Sequence, residues 1–247
     1  MTHKTKGIVL RTIKYGETSL VVTLFTELFG VQTYMVNGAR TQKKTGNKAA
    51  MLQPAALLDL EVYHNELKSM QRIKECSWAV LYHHIHSDVV KNSIALYMVE
   101  LLFKTLRQPE KHADLFYFCE DAFIQLDRAE TAIAANFPLY FALQLPQFFG
   151  FRMDGTLPNT TENSIYLDLT EGNFTGSPPT HPHYIQGQYA VMTAELLKVM
   201  HPSELSQLKL NHHTRSALLL KYQEYYALHL SDFGQMKSLG VLQEVLG

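Results

Sequence analysis

The strongest constraint on the fold comes from residues 6–48, where three short β-type runs are separated by glycine-centred turns. The runs are rich in Val, Ile, Thr, Phe and Tyr, which strands favour, and they span residues 7–13, 20–25 and 31–36. A loop without any acidic residue follows the third run. Its basic residues are Arg40, Lys43, Lys44 and Lys48. This pattern is typical of a small β-barrel with a basic loop at one edge, a common way to hold a nucleic-acid backbone.

Two further runs complete a predicted five-stranded barrel. Residues 56–63 alternate Leu and Val with Asp59 and Glu61, which predicts a half-exposed strand, and residues 68–75 predict a more polar one. Five strands in about 80 residues, with a short helix near residues 49–52, match the size of an OB-type barrel. An SH3-like barrel would give a similar pattern, so periodicity leaves both open.

From Trp78 onward the apolar residues recur at three- and four-residue steps, which predicts helices. The helices are expected at residues 89–106, 113–126, 134–149 and 188–200, with a last helix capped by Asn211. Gly and Pro interrupt this pattern between residues 150 and 187, and the tail from Ser231 is expected to end loosely. The fold class predicted is α+β. Its parts are an OB barrel at 1–78, a helical domain at 79–149 and 187–247, and an irregular insert at 150–186.

Charge is distributed unevenly along the 247 residues. Residues 1–80 contain eleven Lys and Arg against six Asp and Glu, a sum of +5, whereas the remainder contains eleven against seventeen, a sum of −6. Halves of opposite sign predict different partners for each half. Without an apolar run long enough to span a bilayer, and with Cys76 and Cys119 far apart, the expected location is the cytoplasm, near the nucleoid, with no membrane partner.

Four residues outside the basic loop are candidates for nucleic-acid contact. Arg11 and Lys14 form a second basic group, and Tyr15 and Tyr34 are candidates to stack on bases. A five-stranded barrel could bring these strand and turn positions beside the loop. The alternative interpretation is that the loop is a solvated flexible segment with no ligand.

No motif predicts catalysis or a cofactor. The chain lacks a phosphate-binding GxxxxGK[ST] loop, a GxSxG elbow and an HExxH pair. His83, His84 and His86 are expected on the surface of a helix, where neighbouring side chains diverge. His181 and His183, with Asp154, are better placed to hold a metal, but they lack a thiolate pair, and we expect no metal there.

Several unlike motifs in the first 65 residues occur in the order of a known family. GIVLRTIKYGETSLVVTLFTELFG, then GAR and a Lys-containing loop, then LQPAALLDLEV, resemble the N-terminal region of the bacterial recombination mediator family RecO. The resemblance implies an N-terminal OB fold, a helical domain and a zinc-finger-like insert between helices. Many members carry two CxxC pairs in that insert. This chain has no cysteine between residues 150 and 187, so four-thiolate zinc binding is excluded.

The same resemblance implies function and partners. It implies binding of single- and double-stranded DNA without sequence preference, annealing of complementary strands, and a complex with RecR that helps RecA replace single-strand binding protein (SSB). It also implies that the helical domain receives the acidic SSB C-terminal tail. Two alternatives stay open. One is a protein-interaction adaptor without direct DNA binding, and the other is an enzyme with a site in the insert at His181, His183 and Asp154.

Overall fold

The chain forms two compact units. In a computed structural model, residues 2–40, 48–106 and 108–246 are described. The first unit comprises Met1–Ser87 with Leu102–Asp127, and the second comprises Asp88–Leu101 with Arg128–Gly247. The barrel therefore forms a unit together with residues 102–127, beyond the boundary expected at residue 78. No helix within the described ranges is long and apolar enough to cross a membrane.

Five strands close into a barrel in the first unit. They are β1 (Thr2–Tyr15), β2 (Ser19–Thr26), β3 (Gly30–Val36), β4 (Leu57–Tyr63) and β5 (Gln71–Trp78), with helix α1 (Lys48–Met51) between β3 and β4. The strand order is β1-β2-β3-β5-β4, and β3 pairs with β5 in parallel while the other pairs are antiparallel. This OB-like arrangement confirms the predicted fold class and the five strands.

The first strand is twice as long as expected because it closes the barrel with two neighbours. Its first half pairs with β4, from Thr2 opposite Tyr63 to Ile8 opposite Leu57, and its second half pairs with β2. The register shifts between Val9 and Arg11, and such bulges bend a strand. The side chains that face inward form one apolar core, which includes Val9, Val22, Leu24, Tyr34, Leu58, Leu60 and Val62.

Helices α2 (Val89–Thr105) and α3 (Ala113–Arg128) follow the barrel. Residues 113–127 of α3 belong to the first unit, where the Phe116 ring lies 5.5 Å from that of Phe25. The Lys6 ammonium donates to Glu120 at 2.6 Å, and this hydrogen bond raises the pKa of Lys6. Helix α3 therefore packs against the outside of the barrel at β1 and β2.

The segment that leaves the barrel, residues 79–87, is irregular. The expectation of a helix carrying His83, His84 and His86 was wrong. The backbone amides of His83, His84 and Ile85 instead donate to the carboxylate of Asp127, at 2.9, 2.8 and 2.9 Å. The Asp127 carboxylate thus satisfies three backbone amides of this irregular segment.

The second unit is mainly helical. Its elements are α4 (Thr131–Gln144), β6 (Tyr166–Asp168), β7 (Asn173–Thr175), β8 (Tyr184–Gln186), α5 (Gln188–Lys198), α6 (His212–His229) and α7 (Lys237–Val245), with short 3-10 turns at Leu145–Phe149, Glu162–Ser164 and Pro202–Gln207. Asn211 caps α6 as predicted, accepting from the Thr214 amide. The expectation that the tail from Ser231 ends loosely was wrong. Helix α7 forms there, and the Glu100 carboxylate accepts from the amides of Lys237 and Ser238.

The insert is a small three-stranded sheet held by packing. Its order is β7-β6-β8, and Leu167, Leu169 and Ile185 are buried. The Phe151 ring stacks on His229 of α6 with centroids 5.3 Å apart, and the Phe151 carbonyl accepts from the Tyr225 hydroxyl. Apolar packing and polar contacts to α6 thus fix the fold of a segment that contains no cysteine.

Two glycines in turns of the barrel provide a matched test of backbone strain. Gly16 and Gly30 both have left-handed φ angles, +58° and +63°, but a Cβ at Gly16 meets nothing, whereas one at Gly30 overlaps the backbone carbonyl of Glu110. We expect Gly16→Ala to lower the free energy of unfolding by about 1 kcal/mol, and Gly30→Ala by about 3 kcal/mol. Urea denaturation measures both, and equal losses would contradict the close approach at Gly30.

Candidate nucleic-acid interface

One group of predicted residues meets where β1 turns into β2. The backbone amide of Arg40 donates to the Thr18 carbonyl at 3.1 Å, which fixes the start of the basic loop against this turn. Lys14 and Tyr15 end β1 at the same turn, and Tyr15 is 57% exposed. The structure therefore brings together Arg40, Lys14 and Tyr15. Lys43 and Lys44 lie outside the described residues.

Arg11 lies apart from this group. It is three residues from Lys14, and side chains three apart on a strand point to opposite faces. Its guanidinium lies 5.8 Å from the centroid of the Phe103 ring, within the range of a cation–π contact. Arg11 is exposed and contributes positive charge to the surface, but it does not belong to the group formed by Arg40, Lys14 and Tyr15.

Tyr34 does not fit the stacking role expected of it. Its side chain is fully buried in the barrel core, and burial raises the pKa of its hydroxyl. Side chains alternate along β3, so Tyr34 faces inward while its neighbours Thr33 and Met35 face outward. The sequence prediction treated an aromatic residue on a strand as surface, whereas its position on the inward face makes it core.

Lys48 lies at the other end of the basic loop, on the first turn of α1. Ala49 and Met51 of this helix pack against the barrel core, while Lys48 remains exposed. Burial raises the pKa of the Cys76 thiol on β5, and the positive charge of Lys48 opposes that shift. The basic loop thus begins at the β1–β2 turn and ends at the first residue of α1.

A second basic surface, which the sequence prediction missed, follows the β3–β5 seam. β5 begins beside β3, with Gln71 opposite Tyr34 and Arg72 opposite Met35. A cleft of about 390 Å³ opens here between the seam and the β4–β5 loop, residues 64–70, and its lining includes Met35, Tyr63, Lys68 and Arg72. No acidic side chain is among the described residues that line it. The loop between strands 4 and 5 is a binding element in OB folds. The cations Lys68 and Arg72 in and beside this loop are the sequence signal that would have identified the second basic surface.

A groove that borders β5 on the β4 side has a different charge. A groove of about 530 Å³ along β1, β4 and β5 is lined by the carboxylates of Glu27, Asp59, Glu61 and Glu75, with Lys4 and Lys6 as its cations. Lys6 is paired with Glu120 of α3, and Glu61 accepts from Lys74 at 2.8 Å. A phosphate backbone would be repelled there. The β3–β5 seam and the β1–β2 turn are therefore the electrostatically favourable sides of the barrel.

The insert histidines are engaged in polar pairs. His181 lies 3.2 Å from the Asp168 carboxylate, and His183 lies 2.7 Å from that of Glu224. Asp154 accepts from Thr156, and its pKa is lowered by these hydrogen bonds. Across the described ranges, no cluster of three or more His, Cys, Asp or Glu side chains is arranged to hold a metal ion.

The fold and the site define a class of protein: an OB-like barrel with a cationic groove, the architecture that proteins use for oligonucleotides and oligosaccharides. Residues 1–82 match the family model for the recombination protein O N-terminal domain, and residues 86–239 match that for its C-terminal domain. The chain therefore belongs to the recombination protein O (RecO) family of DNA repair proteins.

Curated relatives align with the chain along its whole length. The DNA repair protein RecO of Bacteroides fragilis is 34% identical over 248 residues, which is 99% of both chains. The corresponding proteins of Flavobacterium psychrophilum and Flavobacterium johnsoniae are 34% and 30% identical, again with 99% of both chains covered. The family resemblance in the N-terminal motifs is thus confirmed, and it extends through the helical second unit.

Proposed function

We propose that this protein is a non-enzymatic recombination mediator that binds single- and double-stranded DNA through the first unit. The observation that carries the proposal is the presence of two basic surfaces on an OB-like barrel, at the β3–β5 seam and at the β1–β2 turn. The proposed phosphate contacts are Arg40, Lys48, Lys68 and Arg72, with Lys43 and Lys44 in the same loop and Lys14 and Arg11 as further charges. Exposed Tyr15 and Tyr63 are the proposed stacking residues.

The charges at this surface are available to a ligand. None of Arg40, Lys48 and Arg72 forms an ion pair with a carboxylate of the described residues. Their binding to phosphate therefore does not require an internal salt bridge to break. Each phosphate that they neutralise releases condensed counterions, which favours binding to any sequence. Non-specific backbone binding is what a mediator that acts along whole strands requires.

Membership of the RecO family supports the proposal of the remaining steps. A protein that screens the phosphates of two complementary strands lowers their repulsion, which favours annealing. We propose that RecR joins the protein at the DNA, that the second unit receives the SSB C-terminal tail, and that the assembly helps RecA load onto SSB-coated strands. The second unit's sequence is acidic overall, so protein is its expected partner in preference to DNA.

A fluorescence-anisotropy titration with an unstructured oligonucleotide across a salt series tests this function. We expect binding at low salt that weakens linearly with the logarithm of salt concentration, at a slope of about −0.7 for each phosphate contact. Absence of binding at low salt would favour the protein-interaction adaptor. Metal-dependent cleavage of the oligonucleotide, abolished by His181→Ala, would instead favour the enzyme.

A further inference from the structure

An exposed leucine stands at the tip of the β4–β5 loop. Leu67 is 95% exposed, and no large apolar side chain among the described residues is more exposed. Single apolar side chains on a surface need no special explanation. Leu67 differs because the loop that carries it is hydrogen-bonded to a buried side chain and borders two clefts, the larger of which Leu67 itself lines.

The side chain of Gln71, the first residue of β5, is hydrogen-bonded to the backbone of the β4–β5 loop. Its side chain is 4% exposed, and its amide nitrogen donates to the carbonyls of Asn65 and Lys68, at 2.8 and 2.7 Å. Its amide oxygen accepts from the Asn65 backbone at 3.0 Å. The Asn65 side chain in turn accepts from the Leu67 amide at 2.9 Å. These bonds pre-organise the tip, so a ligand that contacts Leu67 does not have to order the loop.

The loop borders two clefts. The cleft of about 390 Å³ lies on the side of Tyr63 and Arg72, and one of about 740 Å³ lies on the side of β3 and the β2–β3 turn. His64 and Lys68 line both clefts. In the larger one, the His64 ring stacks on Phe29 at 3.9 Å and 14°, which gives this cleft an aromatic wall.

The charges of the two clefts select an anionic ligand. Lys68, Arg72 and Lys111 are their cations, and Glu66 is the one carboxylate among the described residues that line them. Aromatic walls and cations together are the chemistry that holds unpaired bases and their phosphates. A protein partner would need an acidic surface with an apolar pocket for Leu67, but it would leave the paired clefts without a purpose.

We propose that the β4–β5 loop is a wedge for single-stranded nucleic acid. Leu67 enters between two neighbouring bases, which occupy the clefts on either side, while Lys68 and Arg72 hold the flanking phosphates. Proteins that bind the minor groove of duplex DNA insert apolar side chains, including Leu, between base steps and partly unstack them. The inference rests on the proposed function and adds to it a purpose for the loop, which is to keep a bound strand unstacked.

The wedge is tested with oligonucleotides that contain 2-aminopurine, whose fluorescence rises when the base is unstacked. We expect the full-length parent protein to raise the fluorescence of a single strand, and Leu67→Ser to abolish the rise and bind about tenfold more weakly. Met200→Ser is the matched control, because Met200 is 83% exposed and lies in the second unit. It should behave as the parent.

The outcomes separate the wedge from the underlying function. If the parent does not bind the oligonucleotide at all, the proposed function is wrong. If the parent binds and Leu67→Ser keeps both the affinity and the fluorescence rise, DNA binding stands and the wedge is refuted. Because Leu67 is exposed, its replacement should leave the unfolding midpoint unchanged, so an altered midpoint in Leu67→Ser would contradict the structure of the loop.

Discussion

Asp127→Ala is expected to lower the free energy of unfolding by about 4 kcal/mol. Asp127 is 5% exposed, and the amides of His83, His84 and Ile85 donate to its two carboxylate oxygens. Hydrogen bonds to a charged group contribute about 1.5–3 kcal/mol each, with losses that are not additive, and truncation leaves the donors without an acceptor. Chemical denaturation of the full chain measures the loss.

The asparagine variant separates charge from geometry. Oδ1 of Asp127 accepts from two amides and Oδ2 from one. An Asn side chain can keep the first oxygen, but its NH₂ group then faces the His83 amide, so we expect Asp127→Asn to cost about 2 kcal/mol. Asp121→Ala, at an exposed position of the same helix, is the control and should change stability by less than about 0.5 kcal/mol.

The same contacts predict a dependence on pH. Burial acts to raise the pKa of Asp127, but the three amide donors and His84 outweigh it and hold the pKa below its ordinary value. A lowered folded-state pKa means that the stabilisation is complete above the ordinary Asp pKa of about 4 and is lost as pH falls through the folded-state pKa. The stability difference between parent and Asp127→Asn should shrink below about pH 4. A difference that stays constant down to pH 2 would contradict this account.

Removal of three seam and loop charges is expected to weaken single-strand binding about fiftyfold at about 0.15 M salt. The variant is Arg40→Ala/Lys48→Ala/Arg72→Ala, and each position is proposed to hold one phosphate, with about 0.6 log units of affinity per contact at that salt concentration. The loss should be equal for oligonucleotides of different sequence, because phosphate contacts carry no sequence information. Anisotropy titration measures it.

A control with the same net charge separates local contacts from overall electrostatics. Lys198→Ala/Lys209→Ala/Lys237→Ala removes three exposed positive charges from the second unit. We expect its affinity for the oligonucleotide to remain within about twofold of the parent, since none of these lysines is proposed to hold a phosphate. An equal loss in both variants would mean that total charge, and not the barrel surface, determines binding.

Local patterns were enough to predict most of the fold. Strand-favouring residues, alternation and turn glycines predicted all five barrel strands, because each of these signals lies within a few residues of the strand that it marks. Helical periodicity likewise located α2, α3, α5 and α6. Side-chain capping at Asn211 gave the start of α6 because the cap is a local hydrogen bond.

Features that depend on distant contacts were not predictable. Helix α7 begins where Glu100, 137 residues earlier, accepts from the Lys237 amide. Asp127 likewise binds amides more than forty residues earlier. At the site, Arg40 and Lys48 were identified from the run of charge, but Arg72 was not. Arg72 lies beside Met35 through the parallel pairing of β5 with β3, which no short-range pattern encodes.

The central claim is that the basic surfaces at the β3–β5 seam and the β1–β2 turn hold the phosphates of a single strand. Comparing the salt dependences of binding tests this claim most directly. The slope of log affinity against log salt counts phosphate contacts, at about −0.7 for each contact with a single strand. The Arg40→Ala/Lys48→Ala/Arg72→Ala variant should have a slope shallower than that of the parent by about 2, while the second-unit control keeps the parent's slope. A triple variant with the parent's slope would show that the phosphates bind elsewhere.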